Sequence, residues 1–237
     1  MSTAPEQTLA WMREGTDLFL KALESLDDET LAAPGTLPGW TGRHVVAHVA
    51  ANADALGNLV HWARTGEETT MYSSLEQRDA DIETGSQRPA TELRHGMASS
   101  AARLAGSLDA LTPEQWARHV RTAQGRTVPA TEIPWMRSRE VMVHAVDLGG
   151  VVTFDDLPAD FIAALLDDTT ARRSVGADGP ALELAPTDDD RTWAALGAGH
   201  PTTIRGPLAQ LTAYVSGRPA TGLHADGGTV PTLPRWL

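Results

Sequence analysis

Four stretches of helical hydrophobic periodicity dominate the first two thirds of this chain of 237 residues. In the first stretch the apolar side chains recur at intervals of three, four and seven, which places them along one face of an α-helix, and in the third stretch Ala, Ser and Gly weaken the pattern. The predicted helices cover residues 5–31, 41–66, 90–111 and 131–149. Four helices of about 20 residues with one long connection are typical of a four-helix bundle, in which side chains on facing helices build the binding site.

The pattern changes after residue 152. It is followed by two shorter helices, at residues 158–173 and 207–215, and by three strand-like runs, at residues 181–185, 191–196 and 202–205. A turn-rich tail covers residues 222–237. A mixture of short helices and strands predicts an α+β fold. We therefore expect two domains, a metal-binding helical bundle over residues 1–152 and a small α+β domain over residues 153–237 that contributes to the active site.

The chain contains no cysteine. Its absence excludes a disulfide scaffold, cysteine-ligated zinc, an iron–sulfur cluster and any enzyme whose own thiol is the nucleophile. The 31 acidic and 19 basic residues give a net charge of −12, which disfavours binding to nucleic acid or to anionic membranes. The first residues lack a basic leader and no stretch is long and apolar enough to span a membrane, so we expect a cytoplasmic protein with neither type of partner.

Histidine, aspartate and glutamate are the strong metal ligands that remain to this chain. Glu140 and His144 are four residues apart in the fourth predicted helix, and His44 and His48 are four apart in the second, so each pair shares one helix face. A spacing of four residues alone also fits a pair of solvent-exposed side chains that bind no metal. Apolar neighbours nevertheless indicate that His48, Glu140 and His144 point inward, where polar groups need a partner or a metal. His44 lies in a first helical turn next to Arg43 and is predicted to be a surface residue.

Longer motifs surround these candidate ligands. They are PGWT at residues 38–41 followed by His48 and Asn52, HWARTGEE at 61–68, GRTVPATE at 125–132, WMRSRE at 135–140, HAVDLG at 144–149 and PRWL at 234–237. Together they resemble the mycothiol-dependent maleylpyruvate isomerase family of the DinB-like metalloenzyme superfamily. The resemblance extends over essentially the whole chain.

The resemblance implies a DinB-like four-helix bundle that holds Zn²⁺ on His48, Glu140 and His144, and it places the family's functional arginine at Arg218. It also implies a cis-trans isomerase that converts maleylpyruvate to fumarylpyruvate in gentisate-type aromatic degradation. Mycothiol would be the thiol cofactor, made more acidic by the zinc, and the substrate would be a small anionic keto acid. His48 and Arg218 would be the catalytic residues, with Arg218 holding a substrate carboxylate. From the residues alone, Arg218 is a cation at a helix end.

Two alternatives remain open at the level of the sequence. One is a mycothiol S-transferase on the same metal bundle, although such an enzyme has no need for a carboxylate-binding arginine in a second domain. The other is a non-catalytic, zinc-stabilised binding module, in which a fourth protein ligand closes the metal site. Histidines that could supply this ligand are His61, His95, His119, His200 and His224.

Overall fold

A computed structural model describes residues 5–176 and 179–234 of the chain. It divides into two compact units, Met1–Val152 and Thr153–Leu237. The first unit is built from helices and one short hairpin, and the second combines helices with a four-stranded sheet. The predicted fold class, a helical bundle with a small α+β region after it, is confirmed. Among the described residues, no helix is both long enough and apolar enough to cross a membrane.

Four long helices form the core of the first unit. They are α1 (Pro5–Ser25), α3 (Gly42–Thr65), α5 (Ala90–Asp109) and α7 (Ile133–Asp147). Helix α1 packs against α5 and α7, and α3 packs against the same two helices, which closes a four-helix bundle. The apolar core between them includes Met12, Leu56, Leu104 and Ile133. Burial of these side chains away from water stabilises the bundle.

Helices α1 and α7 approach each other closely at Gly15. A Cβ atom at this position would lie 2.6 Å from Val141 Cγ2 and 2.9 Å from Met142 Cγ. Gly15 is a buried residue within α1, so the position requires the lack of a side chain. The close contact sets the distance between α1 and α7, the helix that carries two of the candidate metal ligands.

The first predicted helix is too long. Helix α1 ends at Ser25, and a separate short helix, α2 (Asp28–Ala32), follows it. Asp27 caps α2 by accepting a hydrogen bond from the Thr30 N–H at 2.8 Å. An aspartate at this position accepts a hydrogen bond from a free N–H group in the first turn of a helix. The cap therefore favours the start of a separate helix, α2, over a continuation of α1.

A further helix lies between the second and third predicted helices, at residues 67–89, where the sequence predicts a connection. Helix α4 (Leu75–Ser86) begins after Ser74, whose hydroxyl accepts a hydrogen bond from the Gln77 N–H at 3.0 Å, and it packs against α3. The buried residues of α4 are Ile82 and Ser86. Two such residues do not produce the apolar periodicity by which the other helices are predicted.

Smaller elements complete the first unit. They are α6 (Pro113–Trp116), the antiparallel strands β1 (His119–Arg121) and β2 (Thr127–Pro129), and a 3₁₀ turn (Ala130–Glu132) that leads into α7. Val120 and Val128 face each other across the hairpin and join the apolar core of the bundle. Strands of three residues are too short to show an alternating pattern in the sequence.

The described residues of the second unit form a 3₁₀ turn (Phe154–Asp156), two α-helices and one sheet. Its elements are α8 (Ala159–Gly176), β3 (Pro180–Pro186), β4 (Trp193–Ala195), β5 (Ala198–Gly206), α9 (Leu208–Val215) and β6 (His224–Ala225). The strand order is β4-β3-β5-β6, with β3 parallel to β5 and the other two pairs antiparallel. The helices and strands predicted for this region are present with small shifts of their ends. Residues 235–237, which contain most of the PRWL motif, lie outside the described residues.

Candidate metal centre

His48 lies on the buried face of α3, which also carries Val45 and Asn52. Its side chain is 7% exposed. The Trp40 ring, just before the start of the helix, lies 5.4 Å from the His48 ring between centroids. The apolar face of α3 and this tryptophan therefore hold the imidazole inside the bundle.

His44 does not lie on the open surface as predicted. Its side chain is 14% exposed. Its Nδ1 accepts a hydrogen bond from the backbone N–H of Thr41 at 3.2 Å, and its Nε2 lies 3.2 Å from a carboxylate oxygen of Glu83 on α4. The first contact caps the start of α3 and the second ties α4 to it.

Glu140 and His144 lie one turn apart on α7 and meet His48 of α3. The Nε2 atom of His48 is 2.8 Å from Oε2 of Glu140, and the Nε2 atom of His144 is 3.4 Å from the same oxygen. The two imidazole rings meet edge to face, with their centroids 4.9 Å apart. One ligand atom from each residue lies within 4.8 Å of the others. The structure thus brings together the three side chains predicted as a group.

Asp147 is a further member of the site that ligand spacing does not reveal. Its side chain is 1% exposed, and its Oδ2 lies 2.8 Å from Nδ1 of His144. A carboxylate on this ring nitrogen holds the proton there and leaves Nε2 available to a metal. The signal in the sequence is the aspartate three residues after His144, within the HAVDLG motif.

Buried polar contacts continue along the helices from the ligands. Arg137 is 1% exposed, and its Nη1 donates hydrogen bonds to the Val49 carbonyl at 2.6 Å and to Asn52 Oδ1 at 2.9 Å. Burial lowers the pKa of Arg137 to about 10, so the guanidinium is still charged at neutral pH. Its charge interacts favourably with Glu140, one turn further along α7. Asn52, which accepts a hydrogen bond from Arg137, lies on α3 one turn after His48.

Hydrogen bonding sets the charges of the three candidate ligands. Burial raises the pKa of Glu140, but hydrogen bonds from His144 and His48 outweigh it and hold the pKa well below its usual range. Burial lowers the pKa of His144, but Asp147 and Glu140 outweigh this effect and raise the pKa to about 9. For His48 burial dominates, and its pKa lies below the ordinary value. At neutral pH the protein alone therefore holds an anionic Glu140, a cationic His144 and a neutral His48.

We expect the metal-stripped protein to lose stability as the pH rises from about 6.5 to about 9. Because the pKa of His144 rises from 6.5 to about 9 on folding, its protonation stabilises the folded state fully below 6.5. This contribution disappears as the pH passes through the folded pKa. Metal binding requires the unprotonated imidazole, so the metal-loaded protein should lack this dependence. Thermal unfolding of both forms across this range tests the expectation, and a melting temperature of the stripped form that stays constant would contradict it.

The donor set fits a divalent metal ion. Two imidazole nitrogens and one carboxylate oxygen are typical of catalytic sites with three protein ligands, which keep a fourth position for an external ligand. Within the described part of the first unit, no further histidine, aspartate or glutamate belongs to the group.

The Asp147→Asn variant should bind the metal about 10- to 100-fold more weakly than the wild type. An amide oxygen can still accept a hydrogen bond from Nδ1 of His144, but it lacks the negative charge that strengthens this bond, so the ring is held in its metal-binding tautomer less firmly. A matched control is Asp54→Asn, since Asp54 is an exposed carboxylate on α3 that pairs with Arg103. Competition with a chromophoric chelator measures the affinities, and wild-type affinity in Asp147→Asn would refute the role of this carboxylate.

Arg218 lies in the second unit, just after α9. Its backbone N–H donates to the Ala213 carbonyl at 2.9 Å, and its Nη1 donates to the Ser216 carbonyl at 2.7 Å. Ser216 is the residue at which α9 ends. A cation at this end interacts favourably with the helix dipole. The structure thus shows the helix-end contact that the residues alone predict.

Comparison with known proteins places this geometry in a family. The family described as mycothiol maleylpyruvate isomerase N-terminal domain matches residues 12–149, which contain all three candidate ligands. A crystal structure of the mycothiol-dependent maleylpyruvate isomerase is 40% identical, covers 99% of this chain and 98% of that chain, and has a TM-score of 0.95. A mutant of that isomerase with a histidine replaced by alanine matches with 39% identity, the same coverage and the same TM-score.

A more distant structure, YfiT from Bacillus subtilis, is described as a probable metal-dependent hydrolase with an unusual four-helix bundle topology. It is 19% identical, covers 61% of this chain and 85% of that chain, and has a TM-score of 0.48. A search of curated proteins finds no match. Since the family match spans more than half of the sequence and the 40% identical structure aligns with nearly all of it, the chain belongs to the mycothiol maleylpyruvate isomerase family.

Proposed function

We propose that this protein is a mycothiol-dependent isomerase that converts maleylpyruvate to fumarylpyruvate. The observation that carries the proposal is the alignment with a mycothiol-dependent maleylpyruvate isomerase over 99% of the chain at 40% identity. This alignment includes the second unit as well as the metal-binding bundle. A thiol transferase built on the bundle alone would not account for that unit.

We infer that His48, Glu140 and His144 hold a divalent ion, with zinc as the preferred metal. The ion would raise the fraction of mycothiol present as the nucleophilic thiolate at neutral pH. Asp147 keeps the His144 ring in the tautomer that presents Nε2, and Glu140 supplies the negative charge. Because the chain has no cysteine, no thiol of its own competes for the ion or for the substrate.

The chemistry that mycothiol supplies is reversible conjugate addition. When bound, its thiolate would add to the cis double bond while the π electrons move to the ketone. The former double bond could then rotate before the thiolate leaves and the double bond is restored in the trans form. No atom is gained or lost, so the thiol is regenerated in every cycle.

Arg218 is the cation that we assign to the substrate. Its planar guanidinium suits two parallel hydrogen bonds to a carboxylate, and its charge would stabilise the enolate. A local cation is needed because the substrate is a dianion and the protein carries a net charge of −12.

The decisive experiment incubates the purified zinc-loaded protein with maleylpyruvate, with and without mycothiol, and follows the loss of the cis enone. We expect conversion to fumarylpyruvate that requires the thiol and leaves its concentration unchanged. Conversion without any thiol would overturn the mechanism. Consumption of mycothiol in step with formation of a thioether product would instead identify an S-transferase.

A further inference from the structure

A cavity opens between α1 and α5 in the first unit, with a volume of about 230 Å³. Helix α1 lines one wall with Met12, Thr16 and Leu20. Helix α5 lines the other wall with four alanines, Ala98, Ala101, Ala102 and Ala105. Their methyl groups are too short to fill the space between two helices, so this region lacks the close packing of a protein core. Ala98 and Ala102 are exposed, so the cavity is open to solvent.

Arg137 of α7 lines the same cavity and is 1% exposed. Its Nη1 uses both of its hydrogens on α3, where it donates to the Val49 carbonyl at 2.6 Å and to Asn52 Oδ1 at 2.9 Å. The Nη2 atom is buried and has no hydrogen-bond partner among the residues that the structure describes. Burial of a charged donor without an acceptor is unfavourable, because the donor has given up its hydrogen bonds to water. A ligand that brings an acceptor to Nη2 would remove this penalty.

The other polar side chains of the lining are Thr16, Arg13 and Asp17. The Thr16 hydroxyl donates to the carbonyl of Met12 at 2.7 Å. Arg13 and Asp17 are exposed and of opposite charge, and Arg13 pairs with Asp109 at 2.7 Å. The buried part of the lining therefore offers an apolar surface and, among the described residues, one cation, the guanidinium of Arg137.

These features define the chemistry of a complementary ligand. An apolar body would cover the alanine wall, and removal of this surface from water is favourable. A carboxylate at one end would accept charge-assisted hydrogen bonds from Nη2, which are stronger than those between neutral groups. An apolar cavity of about 150 Å³ is large enough to bind benzene, so one of about 230 Å³ accommodates a six-membered ring that carries a carboxylate.

We propose that the cavity between α1 and α5 binds a small carboxylic acid with an apolar body, whose carboxylate pairs with Nη2 of Arg137. Because Nη2 is buried, this contact requires a small shift of a flexible side chain in the lining, such as Met12. Each lining residue belongs to the first unit, and none is one of the three candidate metal ligands. The site therefore goes beyond the proposed isomerase function and does not depend on it.

The first test locates bound benzoate on the zinc-loaded protein by NMR of labelled alanine methyl groups. We expect nuclear Overhauser contacts between the benzoate ring and the methyl groups of Ala101 and Ala105. Carboxylates also bind zinc, so the position of the contacts distinguishes the cavity from the metal centre. Contacts confined to Ala47 and Ala145, which adjoin His48 and His144 in the sequence, would overturn the proposal, as would the absence of any contact.

Comparison of benzoate with toluene tests the role of the charge. Toluene has the same ring without the carboxylate, so it should bind about 10- to 100-fold more weakly in a titration followed by the same methyl signals. Arg137→Met should abolish this preference, because a thioether has no hydrogen to donate. Equal affinities for benzoate and toluene in the wild type would overturn the proposal.

A second variant tests the cavity with Arg137 left in place, since loss of Arg137 also removes its contacts with α3. Ala105→Leu puts a larger apolar side chain into the cavity, and we expect the affinity for benzoate to fall about 10-fold or more. The control is Ser107→Leu, which enlarges a side chain of α5 outside the lining and should bind benzoate like the wild type. Wild-type affinity in Ala105→Leu would overturn the proposal even if Arg137→Met failed to fold.

Discussion

Substitution of His48 by alanine should remove both the bound metal and the isomerase activity while the bundle stays folded. His48 is the candidate ligand on α3, and its loss leaves Glu140 and His144 on a single helix, where two donors cannot hold the ion in place. Metal stabilisation of developing charge is worth several kcal/mol, so we expect kcat/KM to fall about 1000-fold or more. The folded bundle should persist because its apolar core does not depend on the imidazole.

The matched control for this substitution is His61→Ala. His61 also lies on α3, but its side chain is 42% exposed and does not belong to the metal-ligating group. Zinc content per chain, circular dichroism and kcat/KM should all match the wild type in this control. If His48→Ala kept one zinc ion and full activity, the assignment of the metal centre would be wrong.

Substitution of Arg218 by alanine should also abolish turnover but, unlike His48→Ala, it should leave the metal bound. Arg218 lies outside the bundle unit that supplies the ligands, so zinc content should not change. A charge-assisted contact to a carboxylate contributes up to about 3 kcal/mol, and loss of such a contact in the transition state lowers kcat/KM about 100-fold. Arg218→Lys should restore the activity only in part, because lysine cannot form the bidentate pair.

Arg205→Ala provides the comparison within the same unit. Arg205 is an exposed arginine on β5 that pairs with Asp226 at 3.2 Å, so its removal changes the charge of this unit by the same amount. We expect nearly wild-type kinetics from it. Wild-type kinetics in Arg218→Ala as well would reduce Arg218 to its contact with the end of α9.

The grouping of His48, Glu140 and His144 could be predicted because these residues combine two local signals. Glu140 and His144 are four apart in a helix whose other positions are largely apolar, and His48 lies in a second helix of the same character. Such spacing depends only on helical geometry, which is the same in any fold. The three residues meet because α3 packs against α7. The predicted four-helix bundle led us to expect such packing, since its binding site is built from facing helices.

The neighbours of the ligands could not be predicted in the same way. Asp147 shows its role only through its hydrogen bond to His144. Arg78, whose Nη2 lies 3.3 Å from Nδ1 of His48, belongs to α4, a helix with two buried residues, and so little burial leaves no periodic pattern to detect. His44 was expected at the surface because it lies in a first helical turn, yet its ring is enclosed by its contacts with Thr41 and Glu83. These features depend on individual side-chain contacts, which composition and periodicity do not encode.

The absence of a side chain at Gly15 links the shape of the metal site to a residue that does not touch it. Glu140 and His144 belong to one helix, so any shift of α7 moves them as a rigid pair and leaves their mutual spacing unchanged. Their distance from His48 on α3, in contrast, depends on where α7 lies in the bundle. A methyl group at position 15 would collide with Val141 and Met142, which lie between these two residues on α7. An alanine there would therefore shift Glu140 and His144 together relative to His48. A substitution at position 15 is thus a way to change the distances from His48 to Glu140 and His144 without replacing any of the three residues.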